Sequence, residues 1–418
     1  MNNYKIIKKI GEGTFSEVMK VQNLKDGKQY ACKSMKQSIN SLEQAYNLRE
    51  VQAMKRLSLH PNILQLQELV YDQETKSLCL ICELMEMNIY ELIRGRQHPL
   101  PESKAKHYMY QLCKALDHMH SNGIFHRDVK PENILIKNDV LKLADFGSCR
   151  SVYSKPPHTE YISTRWYRAP ECLLTDGYYS LKMDMWSAGC VFFEMLSLKP
   201  LFPGNNEMDQ VARIHGVLGT PDSLVLQKFK QSRMMHFDFV PQKGRGLGQL
   251  IPRCSELSLA LLYQMLAYDP DKRLSARTAL QHVCFTEQRM AERRALQRTI
   301  GGVETQASTT PASMEQLWRI ARQGRRQQQM KHVVDPFSRG MVPRYPLELP
   351  KLNVAIPSPK VPYSVSGLHT LALPHRVLLP AINSKKCHSH FTKPREEPHR
   401  SNLKSYYIPP LERKGGGY

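Results

Sequence analysis

The chain has 418 residues, 41% of them apolar and 23% charged, and a formal net charge of +21. That is core-forming material for two or three compact units, and it excludes a fibrous or wholly disordered protein. No run approaches the ~18 uninterrupted apolar residues that cross a bilayer, and Met1–Lys9 lacks the apolar stretch of a secretory signal, so residence inside the cell without a transmembrane segment is expected.

Tyr4–Val21 alternates around Gly11-Glu12-Gly13, the pattern of two strands joined at a glycine turn. Residues without a Cβ let backbone N–H groups approach an anion, although two glycines in a hairpin are more often only a turn. Tyr30–Ser34 is a short apolar strand carrying Lys33, whose neighbours argue against a surface lysine. A charged helix is expected over Leu42–Leu57, and its Glu50, seventeen residues after Lys33, is placed to pair with it. Leu78–Leu84 is a further strand. Its Cys79 and Cys82 form a C-x-x-C, but no second pair or nearby His completes a zinc set. The ten cysteines are too scattered for a disulfide scaffold, so reduced thiols are expected. From Lys104 the period changes: Met109, Leu112, Cys113, Leu116 and Met119 share one helix face, which Gly123 can end.

The spacing between Asp128 and Asp145 points to a site. Ile134–Ile136 and Leu141–Leu143 read as strands joined by a two-residue turn, Asn138-Asp139. Folding on that turn pairs 137 with 140 and 133 with 144, so Asn133 and Asp145 emerge together at the open end, five residues beyond Asp128 in the first case. Oxygen ligands of this kind suit Mg²⁺ holding phosphates, and a separate carboxylate can take a proton from an alcohol. Further on, Asp184–Leu198 is apolar on most sides and reads as a helix buried all round.

Gly11-x-Gly13-x-Phe15-x-x-Val18, Lys33, His126-Arg127-Asp128 with Asn133, Asp145-Phe146-Gly147 and Ala169-Pro170-Glu171 follow one another as they do in eukaryotic protein kinases. The resemblance covers residues 4–285. Thr159-Glu160-Tyr161 and Thr164–Glu171 resemble the activation segment of the mitogen-activated and related proline-directed kinases, the CMGC group, and within it the male-germ-cell-associated branch. The resemblance implies an α+β, bilobal fold: a β-rich N-lobe over 4–84, a hinge near 83–88 and a mainly helical C-lobe over 89–285.

It also implies roles. ATP would lie against Ile10, Gly11, Glu12, Gly13, Thr14, Phe15, Ser16, Val18 and Ala31, with Glu83 and Met85 at the adenine and Cys82 as a small gatekeeper. Lys33, held by Glu50, would orient the α- and β-phosphates; Asn133 and Asp145 would hold Mg²⁺; Asp128 would take the substrate proton; Lys130 would neutralise the moving phosphoryl group. Thr164 would hydrogen-bond Asp128 and Lys130, Glu171 would pair with Arg273, and Asp184 would cap its helix beneath the catalytic loop. Phosphates on Thr159 and Tyr161, put there by an upstream kinase or on Tyr161 by the enzyme itself, would recruit Arg127, Arg150, Arg165 and Arg168. The implied substrates are proteins with Ser or Thr followed by Pro, and the implied enzyme is a monomer in cytoplasm and nucleus, with cilia indicated by the relatives.

The pattern departs in three places. Ser16 replaces the third glycine of the phosphate loop, Ser148 replaces a larger apolar residue after Asp-Phe-Gly, and His282-Val283-Cys284-Phe285 lacks the closing proline. After Phe285 the chain carries 22 Lys or Arg against 9 Asp or Glu, and 14 of the 27 prolines, so residues 286–418 are expected to be a basic, proline-rich and mostly disordered tail. Within it Met314, Leu317, Ile320 and Ala321, beside Trp318, Arg319, Arg322, Arg325 and Arg326, line a possible basic helix that would suit a calmodulin-like groove or an acidic membrane, or form only transiently. Lys385-Lys386 is too short for a nuclear signal. Two rival readings stand beside an active kinase: a weak ATP-binding scaffold, which the complete set Lys33, Asp128, Asn133 and Asp145 argues against, and a polyanion-binding protein acting through its tail.

Overall fold

The computed structural model describes residues 3–159, 164–229 and 239–304, the last six through their backbone only. Tyr161, the possible helix around Trp318 and Lys385-Lys386 lie outside the described residues. Two antiparallel strands, β1 (Tyr4–Glu12) and β2 (Ser16–Asn23), meet at the glycine turn and are followed by β3 (Gln29–Met35). Next come α1 (Leu42–Tyr46) and α2 (Arg49–Arg56), then β4 (Leu66–Asp72) and β5 (Ser77–Glu83), giving the sheet order β1-β2-β3-β5-β4. The single helix expected over Leu42–Leu57 is two, because Leu48 takes an extended ψ of 135° between them.

Strand alternation explains how this sheet presents its polar groups. Tyr4, Val21, Cys32, Cys79 and Ile81 form a cluster on one face. Leu80 and Cys82 join the main core, and Lys33 stands opposite Leu80 in the β3–β5 register. Cys79 and Cys82, three apart on one strand, therefore face opposite ways, and among the described residues no group of three metal-ligating side chains gathers. The nine described cysteines are free thiols, eight of them buried.

The second region opens with β6 (Met87–Asn88) and α3 (Ile89–Ile93), whose Asn88 and Glu91 form a reciprocal cap. The long helix α4 (Glu102–Ser121) buries Met109, Leu112, Cys113, Leu116 and Met119, and Gly123 follows it at φ +72°. After β7 (Ile124–Phe125), the strands β8 (Ile134–Lys137) and β9 (Val140–Leu143) pair in the register read from the sequence, Lys137 with Val140 and Ile134 with Leu143. Asn138 and Asp139 both have positive φ, as a two-residue turn of this hand requires. The strand β10 (Arg150–Ser151) pairs with β7, and α5 (Pro170–Leu174) precedes α6 (Lys182–Ser197), in which every residue from Met183 to Met195 is buried. The remaining helices are α7 (Glu207–Leu218), α8 (Ser223–Phe229), α9 (Leu247–Leu250), α10 (Glu256–Met265), α11 (Ala276–Gln281) and α12 (Thr286–Glu304). None of the described helices is long and apolar enough to cross a membrane.

The helix α12 carries regular structure into the first residues of the segment expected to be a mostly disordered tail. Its Glu292 accepts hydrogen bonds from Tyr110 Oη at 2.7 Å and Lys114 Nζ at 2.9 Å, and Arg289 donates to the carbonyls of Leu280 and His282 at 2.8 and 2.7 Å. Residues 286–298 are rich in Ala, Glu, Arg, Gln, Leu and Met, all good helix formers, and contain no proline. Averaging composition over the whole tail hides them.

Gly177 makes a testable backbone contact. It sits at φ +83°, bonded through its carbonyl to the N–H of His158 at 2.8 Å, and a Cβ there would stand 2.1 Å from the His158 carbonyl oxygen. Gly177→Ala is expected to cost at least ~2 kcal/mol, since left-handed strain and a backbone clash add. Urea denaturation measures it, and an unchanged midpoint would contradict this account.

Candidate active site

A cavity of about 890 Å³ lies between the five-stranded sheet and the β8–β9 hairpin. Of the residues expected there, Ile10, Gly11, Glu12, Gly13, Ser16, Val18, Ala31, Lys33, Glu50, Cys82, Glu83 and Met85 line it, with Asn133 and Asp145. Thr14 and Phe15 do not, and the Phe15 side chain is exposed at the tip of the turn. Burial pushes the Cys82 thiol up to about 12, so it is a small neutral group. The Met85 N–H has no acceptor among the described residues, while Glu83 is anchored by Lys142 at 2.8 Å.

Lys33 on β3 reaches Glu50 of α2 at 2.5 Å and Asp145 at 2.9 Å. Burial opposes the lysine's charge, but attraction to the two carboxylates outweighs it and holds the pKa above the ordinary lysine value. Asp145 is only half-buried; desolvation pushes its pKa up, but Lys33 pulls it below the usual carboxylate range. Both are therefore ionised at neutral pH.

The loop after β7 is tied down from below. Asp184 accepts the backbone N–H groups of His126 and Arg127, each at 2.8 Å, and faces His120 Nε2 at 2.9 Å. This corrects the expectation that Asp184 caps its own helix: its carboxylate serves the preceding loop, and α6 begins without a side-chain cap. Two N–H bonds on one carboxylate hold Arg127 at φ +70°, a conformation unfavourable for a residue with a Cβ. His126 accepts the Asp128 N–H on Nδ1 at 3.2 Å, which leaves Nε2 to donate to the Ala144 carbonyl at 2.9 Å. The imidazole thus joins the Asp128 loop to the strand leading into Asp145.

Asn133 Nδ2 donates to both the carbonyl and Oδ2 of Asp128, at 2.8 and 3.0 Å, and Lys130 Nζ lies 3.0 Å from the same Oδ2. Oδ1 of Asp128 is buried with no hydrogen-bond partner, an orphaned acceptor of the kind a substrate hydroxyl can satisfy. Thr164, expected to hydrogen-bond Asp128 and Lys130, is exposed, and Oδ1 of Asp128 accepts nothing from it. With its Nδ2 engaged, Asn133 presents Oδ1, and Asp145 keeps Oδ2 beyond the oxygen bonded to Lys33. Two hard oxygen donors fit a Mg²⁺ ion better than a softer metal.

The four arginines expected around the phosphosites fall into two groups. Arg127 donates to the Ser148 carbonyl at 2.6 Å and to Tyr179 Oη at 2.9 Å, and Tyr179 Oη donates to the Thr159 carbonyl at 2.7 Å. Arg150 lies beside it: burial, Arg127 and Arg49 together lower its pKa. Arg165 instead donates to the Asn205 carbonyl at 3.1 Å, and Arg168 pairs with Glu207 at 3.2 Å.

The pattern of the protein kinase domain matches residues 4–285. The chain belongs to the protein kinase family. It is 55% identical to the MAPK/MAK/MRK overlapping kinase of Mus musculus over an alignment of 423 residues that spans all of both chains. It is 62% identical to the Homo sapiens protein of that name over 359 residues, 85% of each chain, and 40% identical to the Homo sapiens serine/threonine-protein kinase MAK over 287 residues, 68% of this chain and 46% of that one. The protein is a serine/threonine protein kinase of the family that includes the MAPK/MAK/MRK overlapping, MAK and ICK kinases.

Sequence reasoning missed several groups around the kinase's cavity. Leu135, Leu80, Ala144, Met54 and Leu64 line it. Leu135 was accessible to alternation, since Ile134 and Ile136 face the core and leave it on the opposite side beside Asn133. Arg49 also escaped notice, although it directly precedes Glu50 at the start of α2.

Proposed function

We propose that this kinase transfers the γ-phosphoryl group of ATP, with Mg²⁺, to Ser or Thr followed by Pro, and that phosphates on Thr159 and Tyr161 raise its rate. The observation that carries the reading is the convergence of Lys33, Glu50 and Asp145 within 2.5 and 2.9 Å contacts on one wall of a cavity that Asn133 also lines. Lys33, fixed between two carboxylates, orients the phosphates as a pre-set point charge. Asn133 Oδ1 and Asp145 Oδ2 are the groups that would hold the metal, which when bound neutralises phosphate charge. Asp128 Oδ1 accepts the hydroxyl proton as the new O–P bond forms, and Lys130 stays close enough to offset charge on the transferring group.

For the acceptor, a proline after the Ser or Thr leaves no backbone N–H to satisfy beside Arg168. In the activation segment, Thr159 is exposed and its carbonyl is already linked through Tyr179 to Arg127. A phosphate of about −2 charge on its hydroxyl would gain charge-assisted hydrogen bonds from Arg127 and Arg150, with Arg49 adding to the local positive field.

The test pairs two peptides that differ only after the acceptor, Ser-Pro and Ser-Ala. The purified kinase is expected to favour the first in kcat/KM by about tenfold or more, a difference of ~1.4 kcal/mol. Lys33→Ala is expected to lower transfer to the better peptide by about 10² or more. Equal labelling by Lys33→Ala overturns the catalytic assignment, whereas equal use of the two peptides overturns only the proline preference.

A further inference from the structure

Ser16 stands where protein kinases usually have a glycine, and its surroundings give that substitution a use. It begins β2, opposite Met35 of β3, and is 7% exposed although it lies at the end of an exposed turn. The residue lines the cavity together with Gly11, Gly13 and Lys33. The turn closes by a hydrogen bond from the Gly13 N–H to the Ser16 carbonyl at 2.8 Å, so that donor points within the turn. The Ser16 side chain lies under Gly13: a Cβ built on Gly13 would sit 3.8 Å from Ser16 Oγ.

The hydroxyl is not part of the protein's own hydrogen bonding. Neighbouring groups are well used: Lys36 donates to the Gly13 carbonyl at 3.0 Å and pairs with Glu12 at 3.0 Å, and Glu12 also meets Lys9 at 2.8 Å. Among the described residues no group hydrogen-bonds Ser16 Oγ, so the hydroxyl keeps its donor free beside the cavity. A hydroxyl can donate to a phosphate oxygen, and donation to a charged acceptor is among the stronger hydrogen bonds. Loss of glycine's backbone freedom at 16 is then offset by a side-chain donor that glycine lacks.

We propose that the Ser16 hydroxyl donates to the phosphate chain of the bound nucleotide, making Ser16 a phosphate-binding residue through its side chain. The inference rests on the reading of the cavity as an ATP site. It distinguishes the nucleotide's two halves, because a phosphate contact adds nothing to the binding of adenosine.

Equilibrium binding to the full chain with Mg²⁺ tests it, using adenosine and a non-hydrolysable ATP analogue as probes. Ser16→Ala is expected to raise the Kd of the analogue about tenfold and to leave that of adenosine unchanged. Ser16→Gly, which restores backbone freedom without the hydroxyl, is expected to weaken the analogue as well. If Ser16→Ala binds the analogue like the native protein, or weakens both probes equally, the proposal is overturned. If Ser16→Gly binds it more tightly than the native protein, stiffening of the turn is the dominant effect and the proposal is also overturned. Failure of the native kinase to bind either probe would instead overturn the nucleotide reading on which the proposal stands.

Discussion

Asp128→Asn is expected to lower kcat on a Ser-Pro peptide by about 10² to 10⁴, while the Kd for a non-hydrolysable ATP analogue stays within about twofold of the native value. The split follows from position. Asp128 is absent from the walls of the cavity that would hold the nucleotide, but it carries the single buried carboxylate oxygen of this loop left without a partner. Asparagine has nearly the same shape, so hydrogen bonding to Asn133 is largely retained, and the change removes the negative charge and the capacity to take a proton. Lys130, 3.0 Å from Oδ2, then loses its counter-charge without moving far. Steady-state kinetics with the peptide, set beside direct nucleotide binding, measures the two halves separately. A variant that kept more than about a tenth of the native kcat would sink the assignment of Asp128 as the proton acceptor.

What could be read in advance was whatever local spacing dictates. The turn at Asn138-Asp139 fixes the β8–β9 register, and with it the meeting of Asn133 and Asp145, because a two-residue hairpin leaves no freedom of pairing. Lys33 and Glu50 were legible for a similar reason: a lysine in an apolar strand needs a carboxylate, and the next helix supplies one. Contacts decided by tertiary packing were not. Asp184 lies 57 residues from Arg127, and nothing in its own helix shows that its carboxylate serves the backbone of another loop. The break at Leu48 is invisible to periodicity, since both halves are polar enough to continue as one helix. Arg165 and Arg168 stand beside the phosphosites in sequence, yet they are held by the segment at 205–207. The helix α12 was missed because composition was averaged across a long segment whose first residues differ from the rest.

Arg273→Ala is expected to destabilise the kinase by about 3–5 kcal/mol, lowering the midpoint of thermal unfolding by roughly 10 °C. Arg273 and Glu171 have 0% and 1% of their side chains exposed, and they meet in a fork at 2.6 and 2.9 Å. The guanidinium also donates to the carbonyls of Ala267 at 3.0 Å, Lys182 at 3.0 Å and Tyr268 at 3.3 Å, which with the two carboxylate bonds accounts for all five of its N–H groups. Its Cζ lies over the Trp186 ring, 5.2 Å from the ring centre. Truncation therefore leaves a buried carboxylate without a cation and three carbonyls short of a donor. Arg273→Lys should recover only part of the loss, because one ammonium cannot reproduce the fork. The double variant Glu171→Leu with Arg273→Met should be more stable than Arg273→Ala, since no charge remains buried alone. Differential scanning calorimetry on the four proteins checks the order. Were Arg273→Ala to unfold within about 2 °C of the native kinase, the pair would be a passive feature of the core and not the tie that joins α5 to the segment before α11.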